Sequence, residues 1–112
     1  MENISEIVKQ ITIEELKKYN VEVKGFYLFG SRAKGTYRED SDWDFFVVID
    51  KDLDTKIKRN LIQLIKRKLI HIDFPFDIII QSASDFEKKK SDKGYLTYYV
   101  VKEGVKIWTG KL

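Results

Sequence analysis

Phe29-Gly30-Ser31-Arg32-Ala33-Lys34-Gly35, then Ser41-Asp42-Trp43-Asp44-Phe45-Phe46-Val47-Val48-Ile49, are the two stretches on which the reading of this chain turns. The first closes a strand, Val21 to Phe29, whose end Phe26-Tyr27-Leu28-Phe29 is apolar on both faces and so belongs in the middle of a sheet. Gly30-Ser31 ends it abruptly and leads into a short helix, with a polar stretch running on to Asp40. The second stretch opens another strand, Trp43 to Ile49, again with a continuous apolar run.

Working outward, Ile4, Ile7, Val8 and Ile11 fall on a 3.6-residue stripe that Leu16 and Tyr19 continue, which predicts a helix over 3–19. Thr12-Ile13-Glu14-Glu15 has the form of a capping box and could break it. Asp52 or Asp54 can cap a helix whose buried stripe is Ile57, Leu61, Leu64, Ile65 and Leu69. Phe76-Asp77-Ile78-Ile79-Ile80, after Pro75, is a third strand. Ser84-Asp85-Phe86-Glu87 fits a capping box that starts a short helix, and Tyr95 to Lys102 reads as another, ended by Gly104 in the usual helix-terminating position. Val105 to Trp108 is a last short strand. Strands alternating with helices predict an α/β fold, one domain over residues 1–112 with a small mixed sheet of about four strands and packed helices.

Composition agrees and excludes several classes. A length of 112 residues suits one hydrophobic core, and 43% hydrophobic with 13% aromatic residues supplies it, which excludes disorder as the main state. The absence of cysteine excludes disulfide scaffolds, thiolate metal sites and cysteine nucleophiles, and suits a reducing interior. No signal-peptide pattern or membrane span is visible, so a soluble, cytoplasmic protein is expected. A net charge of +3 suits phosphate contacts but is too small to predict direct nucleic-acid binding. Between Lys51 and Ile70 seven bases face two acids, which reads as a solvated helix face.

The chemistry lies with three carboxylates and one loop. Strand alternation puts Asp42 and Asp44 on one face, about 7 Å apart along the chain, with Trp43 and Phe45 on the other. They repel each other, a cost that makes sense if a divalent cation sits between them. Asp77 interrupts an apolar strand, where an ionised carboxylate is expensive without a counter-charge that a metal could supply. Carboxylates on adjacent strands are what a two-metal phosphoryl-transfer site needs. At Gly30 the backbone can approach a phosphate closely, the next helical turn points free N–H groups at it, and Ser31 adds a hydroxyl. Arg32 and Lys34 bring cations to the same loop, either for phosphate charge or as its solvated side.

Spacing removes two rivals. Gly30 to Thr36 nearly forms a P-loop, but Thr36 stands where that motif demands Lys. Asp40, Asp42 and Asp44 imitate a calcium loop, yet Phe45 replaces its turn Gly and Lys51 its bidentate Glu.

Gly30-Ser31, ten residues before Asp42-Trp43-Asp44, with Asp77 in a later apolar strand, resembles the minimal nucleotidyltransferases of the DNA polymerase beta superfamily. The likeness runs from about Val21 to Trp108 and implies a polymerase beta palm-like fold. It implies that Asp42, Asp44 and Asp77 are catalytic and hold two Mg2+ ions, with Mn2+ as a substitute. Asp77 would also help deprotonate the acceptor hydroxyl, while Gly30, Ser31 and Arg32 would bind the nucleotide. The implied reaction moves a nucleoside monophosphate, AMP from ATP or another NTP, to a hydroxyl. Minimal members are often paired with a helical HEPN toxin and act as antitoxins that transfer AMP to a tyrosine of that partner. Larger members add a domain for base or acceptor that this chain does not show. The partner's own Arg-x(4 to 6)-His ribonuclease motif is absent, since only three residues separate Arg67 from His71, and His71 reads as structural or surface. Tyr95, Tyr98, Tyr99 and Trp108 could pack in the core or form a docking patch. Homo-oligomerisation stays open, as does an alternative role: a binding protein that neutralises a partner and holds nucleotide without significant transfer.

Overall fold

The computed structural model describes residues 3–109. Helix α1 (Ile4–Lys17) is followed by strand β1 (Val23–Phe29), the single turn α2 (Ser31–Lys34) and strand β2 (Trp43–Ile49). Helix α3 (Thr55–Lys68), strand β3 (Phe76–Ser82), helices α4 (Ala83–Lys89) and α5 (Leu96–Glu103) and strand β4 (Val105–Thr109) complete it. The four strands form one sheet in the order β3-β2-β1-β4. β1 is antiparallel to both its neighbours, whereas β2 and β3 run parallel and are joined through α3, as a parallel pair requires.

Alternation along β2 divides the interior in two. Phe45, Val47 and Ile49 enter a large cluster with Phe26, Leu28, Ile78 and Ile80, covered by Val8 and Leu16 of α1 and by Leu61 and Ile65 of α3. Phe46 and Val48 point the other way, into a smaller cluster with Tyr27, Phe86 of α4 and Val100 of α5. The apolar runs of the central strands are thus buried on both faces, as expected.

Local differences from the sequence expectation have identifiable causes. α1 is not broken at Thr12: its cap is Asn3, whose Oδ1 accepts from the Glu6 amide at 3.2 Å, and Thr12 is wholly buried with its hydroxyl unpartnered among the described residues. α3 is capped by Asp54, which accepts from the Ile57 amide at 2.9 Å, while Ile57 itself leaves the buried stripe and is 45% exposed. β3 extends past Ile80 to Ser82, so the cap of α4 is Ser82 and not Ser84, with the Ser82 hydroxyl accepting from the Asp85 amide at 3.2 Å. Of the four aromatics left between core and surface, Trp108 packs against the large cluster while Tyr95 and Tyr99 are exposed.

Gly104 does end α5, but in extended backbone (φ −78°) and not in a left-handed cap. Its need for glycine is spatial: a Cβ would collide with the backbone carbonyl oxygen of Val100 and lie 2.9 Å from that of Leu28. Gly104→Ala is therefore expected to destabilise the protein by about 2 kcal/mol, in the range of overpacking against rigid backbone. A shifted urea midpoint with an unchanged slope would check this.

Candidate active site

The site is set by β2. Phe29 of β1, Asp44 of β2 and Asp77 of β3 lie in one row across the sheet, because Phe29 pairs with Asp44 and Asp44 with Asp77. Paired residues share a face, so the two carboxylates stand side by side, on the face that carries Phe46 and Val48 below them. Asp42 lies just before β2 and is exposed, and Trp43 turns to the opposite face, as alternation requires.

Gly30 follows Phe29 and closes on the same point. It has φ +74°, a backbone conformation that favours glycine, and a Cβ there would stand 2.5 Å from Asp44 Oδ2. Glycine is thus required by the approach of the carboxylate itself. The Gly30 carbonyl accepts from the amides of Ala33 and Lys34, both at 3.2 Å, closing α2, while helix geometry leaves the Ser31 and Arg32 amides without an intrahelical acceptor.

Crowding shows in the electrostatics. The Asp44 carboxyl is raised above the usual carboxylate range, first by burial and then by the charges of Asp42 and Asp77. Asp77 corrects another expectation: it is exposed on the edge strand, its Oδ1 accepts from its neighbour's amide, Ile78 N, at 2.9 Å, and Lys66 Nζ lies 3.3 Å away. Its carboxylate therefore faces solvent and a lysine, and its place beside Asp44 ties it to the site. Lys66 escaped the sequence reading because the pairing depends on how α3 is laid across β3. Among the described residues no three metal-ligating side chains converge on one cation-binding point as they stand.

The Arg32 guanidinium turns along the 36–42 loop, where it donates to the carbonyls of Glu39 and Ser41. Lys34 Nζ lies 3.5 Å from Glu103 of α5. His71 is exposed after α3, as expected of a surface residue.

Comparison with known proteins gives the chemistry a context. A family model described as Polymerase beta, Nucleotidyltransferase matches residues 10–111. A protein of Methanocaldococcus jannaschii named as a candidate protein adenylyltransferase is 32% identical over 87 residues, which is 78% of this chain and 82% of that protein. The crystal structure of a toxin-antitoxin with AMP-PNP aligns with a TM-score of 0.60 at 25% identity, over 92% of this chain and 74% of its own. A tri-AMPylated Shewanella oneidensis HEPN toxin in complex with its MNT antitoxin aligns at 0.57 and 21% identity, over 96% and 74%, and shares the fold. No helix among the described residues is long and apolar enough to cross a membrane.

The raised Asp44 carboxyl yields a stability prediction. Between its ordinary value of 3.8 and its raised value, the folded state keeps a proton that the unfolded chain has released. Stability contributed by this group is therefore lost as pH rises through that window and stays lost above it. Asp44→Asn is expected to be more stable than the parent at pH 7, with the difference shrinking below about pH 4; urea denaturation at the two pH values checks both halves.

Proposed function

Because the chain belongs to the polymerase beta nucleotidyltransferase family and is a nucleotidyltransferase, we propose that it transfers AMP from ATP to a hydroxyl of a partner protein, with a tyrosine of a helical HEPN toxin as acceptor. The observation that carries this reading is the row of Asp44 beside Asp77, with Gly30 packed against the Asp44 carboxylate. The toxin-antitoxin neighbours, one with AMP-PNP and one with a tri-AMPylated toxin, support the nucleotide and the partner. In this reading residues 1–112 act as one cytoplasmic transferase domain and an antitoxin.

Asp42, Asp44 and Asp77 are the catalytic carboxylates, and their hard, crowded oxygens suit Mg2+ or Mn2+. Two such ions, when bound, neutralise the triphosphate and the attacking oxygen. Gly30 and Ser31 bind the nucleotide, the glycine by giving its phosphates room and the serine through its hydroxyl and amide. Asp77, exposed at the sheet edge, takes the proton from the acceptor hydroxyl. The acceptor oxygen then bonds to the α-phosphorus as the bond to the β-phosphate bridging oxygen breaks, and pyrophosphate leaves. Lys66 Nζ lies 3.3 Å from Asp77 Oδ1, so this carboxylate is shared between a lysine and the site.

With the purified HEPN partner, labelled ATP and Mg2+, label is expected on the partner. Asp42→Asn with Asp44→Asn should abolish it, and Asp77→Asn should lower transfer by about 100-fold or more, the usual weight of a general base, while nucleotide binding partly survives. A second measurement, thermal unfolding, should show Mg2+ raising the parent's Tm but not that of the double variant. Neutralisation of the partner in a stable complex with no label transferred would favour binding alone as the biological role.

A further inference from the structure

We propose that Arg32 is a positioning residue, a clamp that holds the 36–42 loop so that Asp42 is presented beside Asp44. The inference rests on the reading of those two aspartates as the working carboxylates. Asp42 needs such help. Residues 36–42 form no helix or strand, and the Asp42 side chain accepts no hydrogen bond among the described residues, so its place is set by the backbone on either side. On the far side β2 begins, and the Trp43 amide donates to the Pro75 carbonyl at 3.0 Å, fixing that end to the lead into β3.

The near side is held by Arg32. Its Nε and Nη2 donate to the Ser41 carbonyl at 3.3 and 3.2 Å, and Nη2 also to the Glu39 carbonyl at 3.0 Å. The guanidinium carbon lies 4.3 Å from the ring centroid of Tyr37 and 4.7 Å from that of Trp43, so one planar cation contacts aromatic rings from both ends of the loop. The loop adds its own lock, with Ser41 Oγ accepting from the Arg38 amide at 2.8 Å and the Ser41 amide donating to the Arg38 carbonyl at 3.1 Å. Arg32 is thus anchored in α2, directly after the Gly30-Ser31 turn, and grips the residue that precedes Asp42. One side chain couples the phosphate side of the site to its carboxylate side. A lysine cannot replace it, because a single ammonium cannot fork to carbonyls and stack on rings at once.

The test uses the whole protein, with Arg32→Ala and the charge-keeping Arg32→Lys, and two readouts. Without nucleotide or metal, the amides of Ser41 and Trp43 are expected to exchange hydrogen at least tenfold faster in both variants, while amides in the middle of β1 and β2 keep parent-like protection. With Mn2+ alone as the probe, affinity should fall about tenfold or more in both, the scale seen when the support of a metal ligand is removed. Unchanged exchange at Ser41 and Trp43 would overturn the clamp, and a loss then confined to Mn2+-ATP affinity would assign Arg32 to the phosphate. Faster exchange with parent-like Mn2+ affinity would also overturn it, by showing that the loop does not position a carboxylate. Failure of the parent itself to bind Mn2+ would fell the transferase reading, while the exchange data would still decide whether Arg32 holds the loop.

Discussion

The site depends on the seating of β2 between an antiparallel and a parallel neighbour. Register on the β1 side puts Asp44 against Phe29 and so against the turn at Gly30, and register on the β3 side puts the same residue against Asp77. A one-residue slip on either side would send a carboxylate to the other face, among Phe45, Val47 and the residues of α1 and α3. The apolar alternation of β2 therefore does more than build the core. Phe45 and Phe46 must enter different clusters, and that demand fixes where Asp44 points.

Crowding follows from this seating. Asp44 is partly buried with the charges of Asp42 and Asp77 near it, and burial first and those charges second raise its carboxyl above the usual range. Surrounding contacts relieve only part of the strain. Lys66 compensates Asp77 in a solvent-exposed pair, which is weak by the standards of buried ones. The folded chain thus gathers negative charge at one end of its sheet, where the Asp44 carboxyl is paired with no cation among the described residues.

The parts legible in the sequence were those with a period or a fixed spacing. Continuous apolar runs marked β1, β2 and β3 and showed that the sheet is covered on both sides, and the two-residue step from Asp42 to Asp44 marked two charges that act on each other in the fold. What escaped was whatever depends on a pairing between distant elements. Asp77 was read as a buried charge in an apolar strand, because its sequence neighbours are apolar; the edge position of β3 and the reach of Lys66 around it belong to the strand order. Ser84 reads as the cap of α4 in the sequence, where the cap is Ser82, because the length of β3 is set by its pairing with β2 through Ile49 and Ser82. Gly104 reads in the sequence only as a helix terminus, whereas its neighbours in space, the carbonyls of Val100 and Leu28, are what exclude a side chain.

The same distinction separates two residues that sit side by side in the motif. Gly30 and Arg32 were both assigned to phosphate, on the ground that a glycine gives room and an arginine gives charge. In the fold each first serves the carboxylates. Gly30 admits Asp44 Oδ2 to a point no Cβ would allow, and Arg32 spends its donors on the backbone that carries Asp42. A turn that must admit the Asp44 carboxylate at Gly30 and, through Arg32, hold the backbone that carries Asp42 has little freedom left, and the ten-residue separation of Gly30-Ser31 from the aspartates fits that constraint. The intervening loop must be long enough to return from α2 to the start of β2, and short enough for one guanidinium to touch Tyr37 near its beginning and Trp43 at its end.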